Sequence, residues 1–145
     1  MRYIRSNVRE FEPEDRASLK AIYQECFPNN PIHKLIDMEE NGKIFLHGMK
    51  PYVQGFIIGL IDDGNPWIWG LGVYPESRNQ GIGQTLLNTI ESYYNSLGYK
   101  KIFLYVEDDN PAQKLYFDRE YRIVKVEKDV YAEKNALKMM KFLRI

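Results

Sequence analysis

Trp67-Ile68-Trp69-Gly70-Leu71-Gly72-Val73-Tyr74-Pro75-Glu76-Ser77-Arg78-Asn79-Gln80-Gly81-Ile82-Gly83 is the stretch around which the rest of the chain is organised. Its first third is apolar and aromatic and reads as a strand; Pro75, which has no N–H to give a sheet ladder, ends it. The polar turn 76–80 then delivers two glycines spaced two apart, and from Ile82 onward Leu86, Ile90, Tyr93 and Leu97 recur at the three-to-four-residue period of a helix with one buried face. Strand, glycine turn and helix start together form an anion cradle, because glycines let backbone N–H groups approach a ligand and a helix N-terminus favours negative charge.

Two familiar cradles are excluded by spacing. A nucleotide-hydrolase phosphate loop needs Gly-Lys-Ser/Thr, whereas Gly83 is followed by Gln84-Thr85. A dinucleotide fingerprint starting at Gly70-Leu71-Gly72 needs a third glycine where Pro75 stands. What remains is R-x-x-G-x-G, as Arg78-Asn79-Gln80-Gly81-Ile82-Gly83.

The chain of 145 residues is the length of one domain. Its 20 basic and 20 acidic residues cancel, which argues against a nucleic-acid partner or a polybasic membrane contact. No apolar run approaches the roughly 20 residues that span a bilayer. The start Met1-Arg2-Tyr3-Ile4-Arg5 lacks a signal-peptide core and Cys26 is the single cysteine, so a cytoplasmic address is expected. His33 and His47 stand too far apart to suggest a local metal pair, and one cysteine cannot complete a zinc site, so no metal is expected. Cys26 falls on the apolar face of its helix and reads as a structural residue rather than a nucleophile.

In order, the chain predicts a strand over 3–11, a helix opening at Glu12-Pro13-Glu14-Asp15 and closing at Phe27-Pro28, and a short second helix from Ile32 closed by Asn41-Gly42. Strands follow over 43–49 and 52–61; Asp62-Asp63-Gly64-Asn65-Pro66 is a hairpin turn, so the strand of the cradle runs antiparallel to its predecessor. After the central helix Gly98 supplies the stop, and the strand over 101–106 lies parallel to the cradle strand through a right-handed crossover. Asn110-Pro111-Ala112-Gln113 opens a last helix to about Arg119, with a cap, a proline at the first position and Gln three residues on. Residues 121–126 and 136–143 alternate as a closing hairpin, with 129–135 between them.

The R-x-x-G-x-G string behind Leu71-Gly72-Val73-Tyr74-Pro75-Glu76 resembles the acetyl-CoA-binding motif of the GCN5-related N-acetyltransferase (GNAT) superfamily. The element order is similar over nearly the whole chain, as is Leu104-Tyr105-Val106 followed, after three acidic residues, by Asn110-Pro111-Ala112-Gln113-Lys114-Leu115-Tyr116-Phe117. Within the superfamily the tail Val130-Tyr131-Ala132-Glu133-Lys134-Asn135-Ala136-Leu137-Lys138-Met139-Met140 resembles the ribosomal-protein-alanine and protein N-terminal branch. One departure stands out: the family usually follows its Leu-Tyr with Gly-Phe, and this chain has Glu120-Tyr121. The resemblance implies an α/β fold with a mixed, mostly antiparallel sheet of about seven strands, a parallel strand 4–helix–strand 5 crossover and four helices.

Function follows from the same resemblance: acetyl-CoA as cosubstrate and a primary amine, first of all a protein or peptide N-terminus, as acceptor. Leu71, Gly72 and Val73 would face the acetyl carbonyl from an irregular strand. Backbone amides of Arg78, Asn79, Gln80, Gly81, Ile82, Gly83 and Gln84 would hold the pyrophosphate. Tyr116 takes the place of the general acid that protonates the departing thiolate. Asn110 reads equally as a neighbour of the pantetheine arm and as a plain helix cap. Tyr105 stands where the branch often carries Glu or His, and a neutral phenol is a poor base. Proton removal is therefore left to ordered water or to a carboxylate such as Glu107; with Asp108 and Asp109, Glu107 also reads as a solvated acidic rim. Tyr105 and Tyr131 are candidate acceptor contacts, with a loop tyrosine as the plainer reading of Tyr131. Two alternatives stay open: a small-molecule amine acetyltransferase acting, for example, on a polyamine, and a non-catalytic acetyl-CoA-binding module.

Overall fold

A computed structural model describes residues 7–131 and 134–143 of the chain. Four helices and seven strands follow one another as β1 (Val8–Glu10), α1 (Arg16–Cys26), α2 (Ile32–Asn41), β2 (Lys43–His47), β3 (Gly55–Asp62), β4 (Asn65–Val73), α3 (Ile82–Ser96), β5 (Lys101–Glu107), α4 (Gln113–Asp118), β6 (Arg122–Tyr131) and β7 (Lys134–Phe142). The strands form one mixed sheet in the order β1-β2-β3-β4-β5-β7-β6, with β4 and β5 parallel. No helix among the described residues is long and apolar enough to cross a membrane.

Each junction has a local cause. Asp63 and Gly64 both take positive φ, 51° and 76°, as the two-residue loop of a primed hairpin turn requires, which makes β3 and β4 antiparallel. The proline after Phe27 stops α1, and Gly98 (φ 93°) follows α3. The resemblance cast doubt on the end of α4, because Glu120 stands where glycine is usual. The left-handed cap forms nonetheless: Glu120 has φ 74°, its N–H donates to Phe117 O (3.0 Å) and the Tyr121 N–H donates to Tyr116 O (3.0 Å). A side chain in that region costs about 1 kcal/mol. Glu120→Gly is therefore expected to raise the unfolding free energy by about 1 kcal/mol, seen as a melting point about 3 °C higher; an unchanged or lower melting point contradicts this account of the cap.

Several boundaries depart from expectation. Residues 1–6 lie outside the described set, and the first strand is seen at Val8–Glu10. The third strand begins at Gly55 rather than at residue 52. The closing hairpin is longer than its alternation suggested: β6 runs on to Tyr131 and β7 starts at Lys134, so most of the supposed connector 129–135 is strand. Lys125, Glu127 and Lys128 are charged, but β6 is an edge strand and needs no continuous apolar face. Leu97, expected on the buried face of α3, is 57% exposed.

The chain divides into two compact units, residues up to Gly59 with Gly70–Ile90, and Leu60–Trp69 with residues from Glu91 onward. In the first, α1 presents Leu19, Ile22 and Tyr23 to a core that includes Leu46, Phe56, Ile57, Ile58, Leu86 and Leu87, with the rings of Tyr23, Phe27 and Phe56 within 5.6–6.2 Å of one another. In the second, Ile102, Leu104 and Val106 alternate inward from β5 while Phe103, Tyr105 and Glu107 take the opposite face. That unit also buries a carboxylate, Glu91, which accepts hydrogen bonds from Arg119 Nη2 (2.6 Å), Lys141 Nζ (2.9 Å) and the Tyr121 hydroxyl (2.8 Å).

Candidate functional site

In the first unit β4 ends at Val73, a 3-10 turn covers Pro75–Ser77, and α3 starts at Ile82. Asn79 (φ 63°) and Gly81 (φ 81°) are both left-handed, which coils the turn 78–81 so that its amides lead into the helix start. Thr85 N–H closes on Gly81 O at 3.0 Å; Ile82, Gly83 and Gln84 precede it as the open first-turn donors that a helix start has. A Cβ built on Gly81 meets nothing within 4 Å, so the loop presents clear space. Open amide donors beside clear space, at the positive end of a helix dipole, suit the two phosphates of CoA. Arg78, though exposed, folds its side chain back onto the end of β4: its Nε donates to Val73 O at 3.0 Å.

Gly72, expected to suit an irregular strand, also meets a spatial demand. It lies inside β4, and a Cβ there would stand 2.6 Å from Phe56 Cε1 and 2.9 Å from Cys26 Sγ. Cys26 is half-buried rather than fully buried, its thiol donating to Val73 O at 3.6 Å. Burial pushes the thiol up, and Arg78 only partly offsets that, so Cys26 is not an activated nucleophile. Gly72→Ala is expected to lower the unfolding free energy by about 1–3 kcal/mol, because a ring atom of Phe56 cannot swing away as a flexible chain end can. The check is the urea midpoint; an unshifted midpoint would mean that the site relaxes freely.

The second unit holds the other candidates. Tyr116, on α4, is 7% exposed, and its ring packs edge-on against Tyr121 with centroids 5.8 Å apart. Burial pushes its phenol up to about 12, and among the described residues its hydroxyl has no hydrogen-bond partner. Asn110 accepts from the Ala112 N–H at 2.8 Å, an Asx turn two residues before the cap position of α4, which is Ala112, rather than the helix cap expected. Gln113 does not close a capping box; its Nε2 donates to Glu107 O (3.1 Å) and Asp108 O (2.6 Å), and the α-helix proper begins there.

Glu107 and Tyr105 share the face of β5 opposite its buried residues. Glu107 is held by Lys134, whose Nζ lies 3.3 Å from Glu107 and 3.3 Å from Asp109; these bonds to Glu107 and Asp109 push the lysine up. Tyr105 stacks on Trp67 (centroids 5.3 Å, 22° between planes), which also stacks on Phe103 (5.0 Å, 27°), and Lys138 Nζ lies 5.2 Å from the Trp67 centroid. The Tyr105 hydroxyl donates to Glu127 Oε1 at 3.1 Å. Glu127 carried no signal in the sequence, because the strand that bears it reaches Tyr105 only across β7. Tyr131 ends β6, paired with Lys134; its side chain lies outside the described set.

Residues 3–119 match the acetyltransferase (GNAT) family. An N-acetyltransferase of Methanocaldococcus jannaschii is 32% identical over 141 residues, covering 92% of this chain and 90% of its own. Among solved structures, the ribosomal-protein-S18-alanine N-acetyltransferase from Escherichia coli superposes with a TM-score of 0.85 at 18% identity, over 97% of this chain and 96% of that one. An aminoglycoside 6′-N-acetyltransferase complexed with coenzyme A gives 0.86 at 17% identity, over 95% and 97%. The mixed sheet with its parallel β4–β5 pair is the fold that these structures share. With the family match over most of its length, and a glycine turn suited to the phosphates of CoA, the chain belongs to the GNAT family and is an acetyl-CoA-dependent acetyltransferase.

Proposed function

We propose that this enzyme, acting as one cytoplasmic acetyltransferase domain, acetylates the N-terminal α-amine of a protein or peptide by direct attack on the thioester. In this reading Leu71–Val73, the amides of residues 78–84 and Asn110 hold acetyl-CoA, which supplies the activated acyl group. Tyr116 protonates the leaving thiolate; its unpartnered hydroxyl, kept protonated at neutral pH, suits that task. Tyr105 and Tyr131 receive the acceptor, and Glu107 is the carboxylate on the amine side. For Glu107 to accept a proton, Lys134 must let it go.

The observation that carries the choice of acceptor is Lys134. The acidic run 107–109 would attract a polycation, but an ammonium of the chain itself already lies 3.3 Å from two of its three carboxylates. That favours a peptide with a single terminal amine over a polyamine. A direct test is acetyl transfer, followed by mass spectrometry, to peptides beginning with Ala, Ser or Met and to spermidine. The expected result is a kcat/KM for the best peptide at least tenfold above that for spermidine; the reverse order would overturn the reading.

A further inference from the structure

We propose that Glu127, on the edge strand β6, is a positioning residue for acetyl transfer: it orients the Tyr105 hydroxyl and receives its proton while the phenol oxygen takes one from the acceptor amine. This rests on the reading above of β5's open face as the side on which the amine arrives.

The arrangement is built by register. On β7, Lys138 pairs with Tyr105 of β5 and with Lys125 of β6, and Ala136 pairs with Glu107 on one side and Glu127 on the other. Glu107, Ala136 and Glu127 therefore form one row across three strands, and Tyr105, Lys138 and Lys125 the next. Two strand spacings, about 10 Å, separate β5 from β6, so a side chain of β5 meets one of β6 only by reaching over β7. Ala136 makes this possible. Its methyl puts no obstacle between the rows, and the Tyr105 hydroxyl crosses to Glu127 Oε1 at 3.1 Å. The phenol ring is held from behind by the Trp67 stack, which fixes the direction of its O–H. Tyr105 is 39% exposed, so part of its side chain is in contact with solvent. Tyr105 is also the first residue of β5 beyond the stretch paired with β4, Trp67–Ile68 against Phe103–Leu104.

A phenol alone is a poor base near neutral pH, and a carboxylate alone on β6 lies a strand too far away. Joined, they meet both needs. The acceptor first gives up its ammonium proton to Glu107 or to water; as the neutral amine nitrogen then bonds to the acyl carbon and the carbon–sulfur bond breaks, the nitrogen's second proton passes to the Tyr105 oxygen. The proton already on that oxygen passes to Glu127, which returns it to water. The thiolate takes its proton from Tyr116, which regains one from water, so that water is the only other reactant needed. Among the described residues, Lys125 Nζ lies 3.4 Å from Glu127 Oε1, and Lys138, the register partner of Tyr105, holds its Nζ over the Trp67 and Phe103 rings. Glu107 also has a lysine beside it, at 3.3 Å. What sets Glu127 apart is the hydroxyl proton it holds.

The experiment compares Glu127→Gln, Tyr105→Phe and their double variant as full chains, with acetyl-CoA and the best Ala-, Ser- or Met-leading peptide. Glu127→Gln and Tyr105→Phe are each expected to lower kcat by about 10- to 100-fold with KM for acetyl-CoA within about twofold. The double variant should be no slower than the slower single variant, because one path is broken once. Melting points within a few degrees of wild type show that the fold is kept. A Glu127→Gln enzyme within twofold of the wild-type kcat overturns the proposal, as does a double variant whose losses multiply. If the wild type acetylates spermidine and none of the peptides, the acceptor reading has failed and the proposal falls with it. A wild type that is active on peptides beside an unimpaired Glu127→Gln enzyme refutes this proposal alone.

Discussion

Tyr116→Phe lowers kcat by about 100-fold, or about 2.7 kcal/mol in barrier, and leaves CoA affinity within twofold. The change removes one oxygen and nothing else. Among the described residues the Tyr116 hydroxyl has no hydrogen-bond partner, so its loss strands no donor or acceptor, and the ring keeps its edge-on packing against Tyr121. What disappears, in the mechanism proposed above, is the proton for the departing sulfur. Because burial pushes the phenol up to about 12, its protonated, active form persists across the neutral and moderately alkaline range and is lost only as pH approaches that value. The wild type should therefore show no alkaline fall in kcat from this group between about pH 7 and pH 10. Steady-state kinetics with calorimetric CoA titration decides the matter: a Tyr116→Phe enzyme at wild-type kcat would remove the residue from the mechanism, and a matching loss of CoA affinity would make it a binding residue instead.

Glu91→Gln is the other large change, and it acts on stability. Glu91 is 6% exposed and faces two cations, Arg119 at 2.6 Å and Lys141 at 2.9 Å, whose side chains are only 20% and 14% exposed. The phenol of Tyr121, fully buried, completes the set; burial first, and the neighbouring carboxylate second, push it well above its ordinary range. An amide in place of the carboxylate leaves two poorly hydrated cations beside each other with no counter-charge. Breaking such a network by removing one partner costs about 3–5 kcal/mol, so the melting point should fall by roughly 10 °C. Adding Lys141→Met to Glu91→Gln should recover part of the loss, since one of the stranded charges goes with it. A loss under about 1 kcal/mol would show that water screens these pairs as it does at a surface.

Three short-range signals were readable in the sequence, while the one at Asn110–Gln113 misplaced the start of α4. The glycine turn 78–83, the Asp63-Gly64 hairpin and the βαβ crossover are each set by a few adjacent residues and stand as expected. The buried face of α3 was only half readable. Ile82, Leu86 and Ile90 are buried, but the seam continues through Glu91 and Tyr94 rather than through Leu97. A glutamate inside a helix reads as a solvated position, and its partners come from α4's end, from the residue before β6 and from β7, none of them local. The same limit hid Glu127: Tyr105 and Glu127 are 22 residues apart in sequence and meet only because β7 inserts between their strands. A glycine at 72 suits an irregular strand, yet what excludes a side chain there is Phe56, sixteen positions earlier. The left-handed cap at Glu120 shows the converse: where backbone hydrogen bonds demand a conformation, a residue ill suited to it is carried along.

Cys26 is the chain's single cysteine, and its sulfur is wedged between the backbone of Gly72 and the carbonyl of Val73. Held above the ordinary thiol range by burial, it rests in the protonated form that reacts slowly with oxidants and alkylating agents. Purified material should therefore keep its free thiol without added reductant and give no covalent dimers on a non-reducing gel.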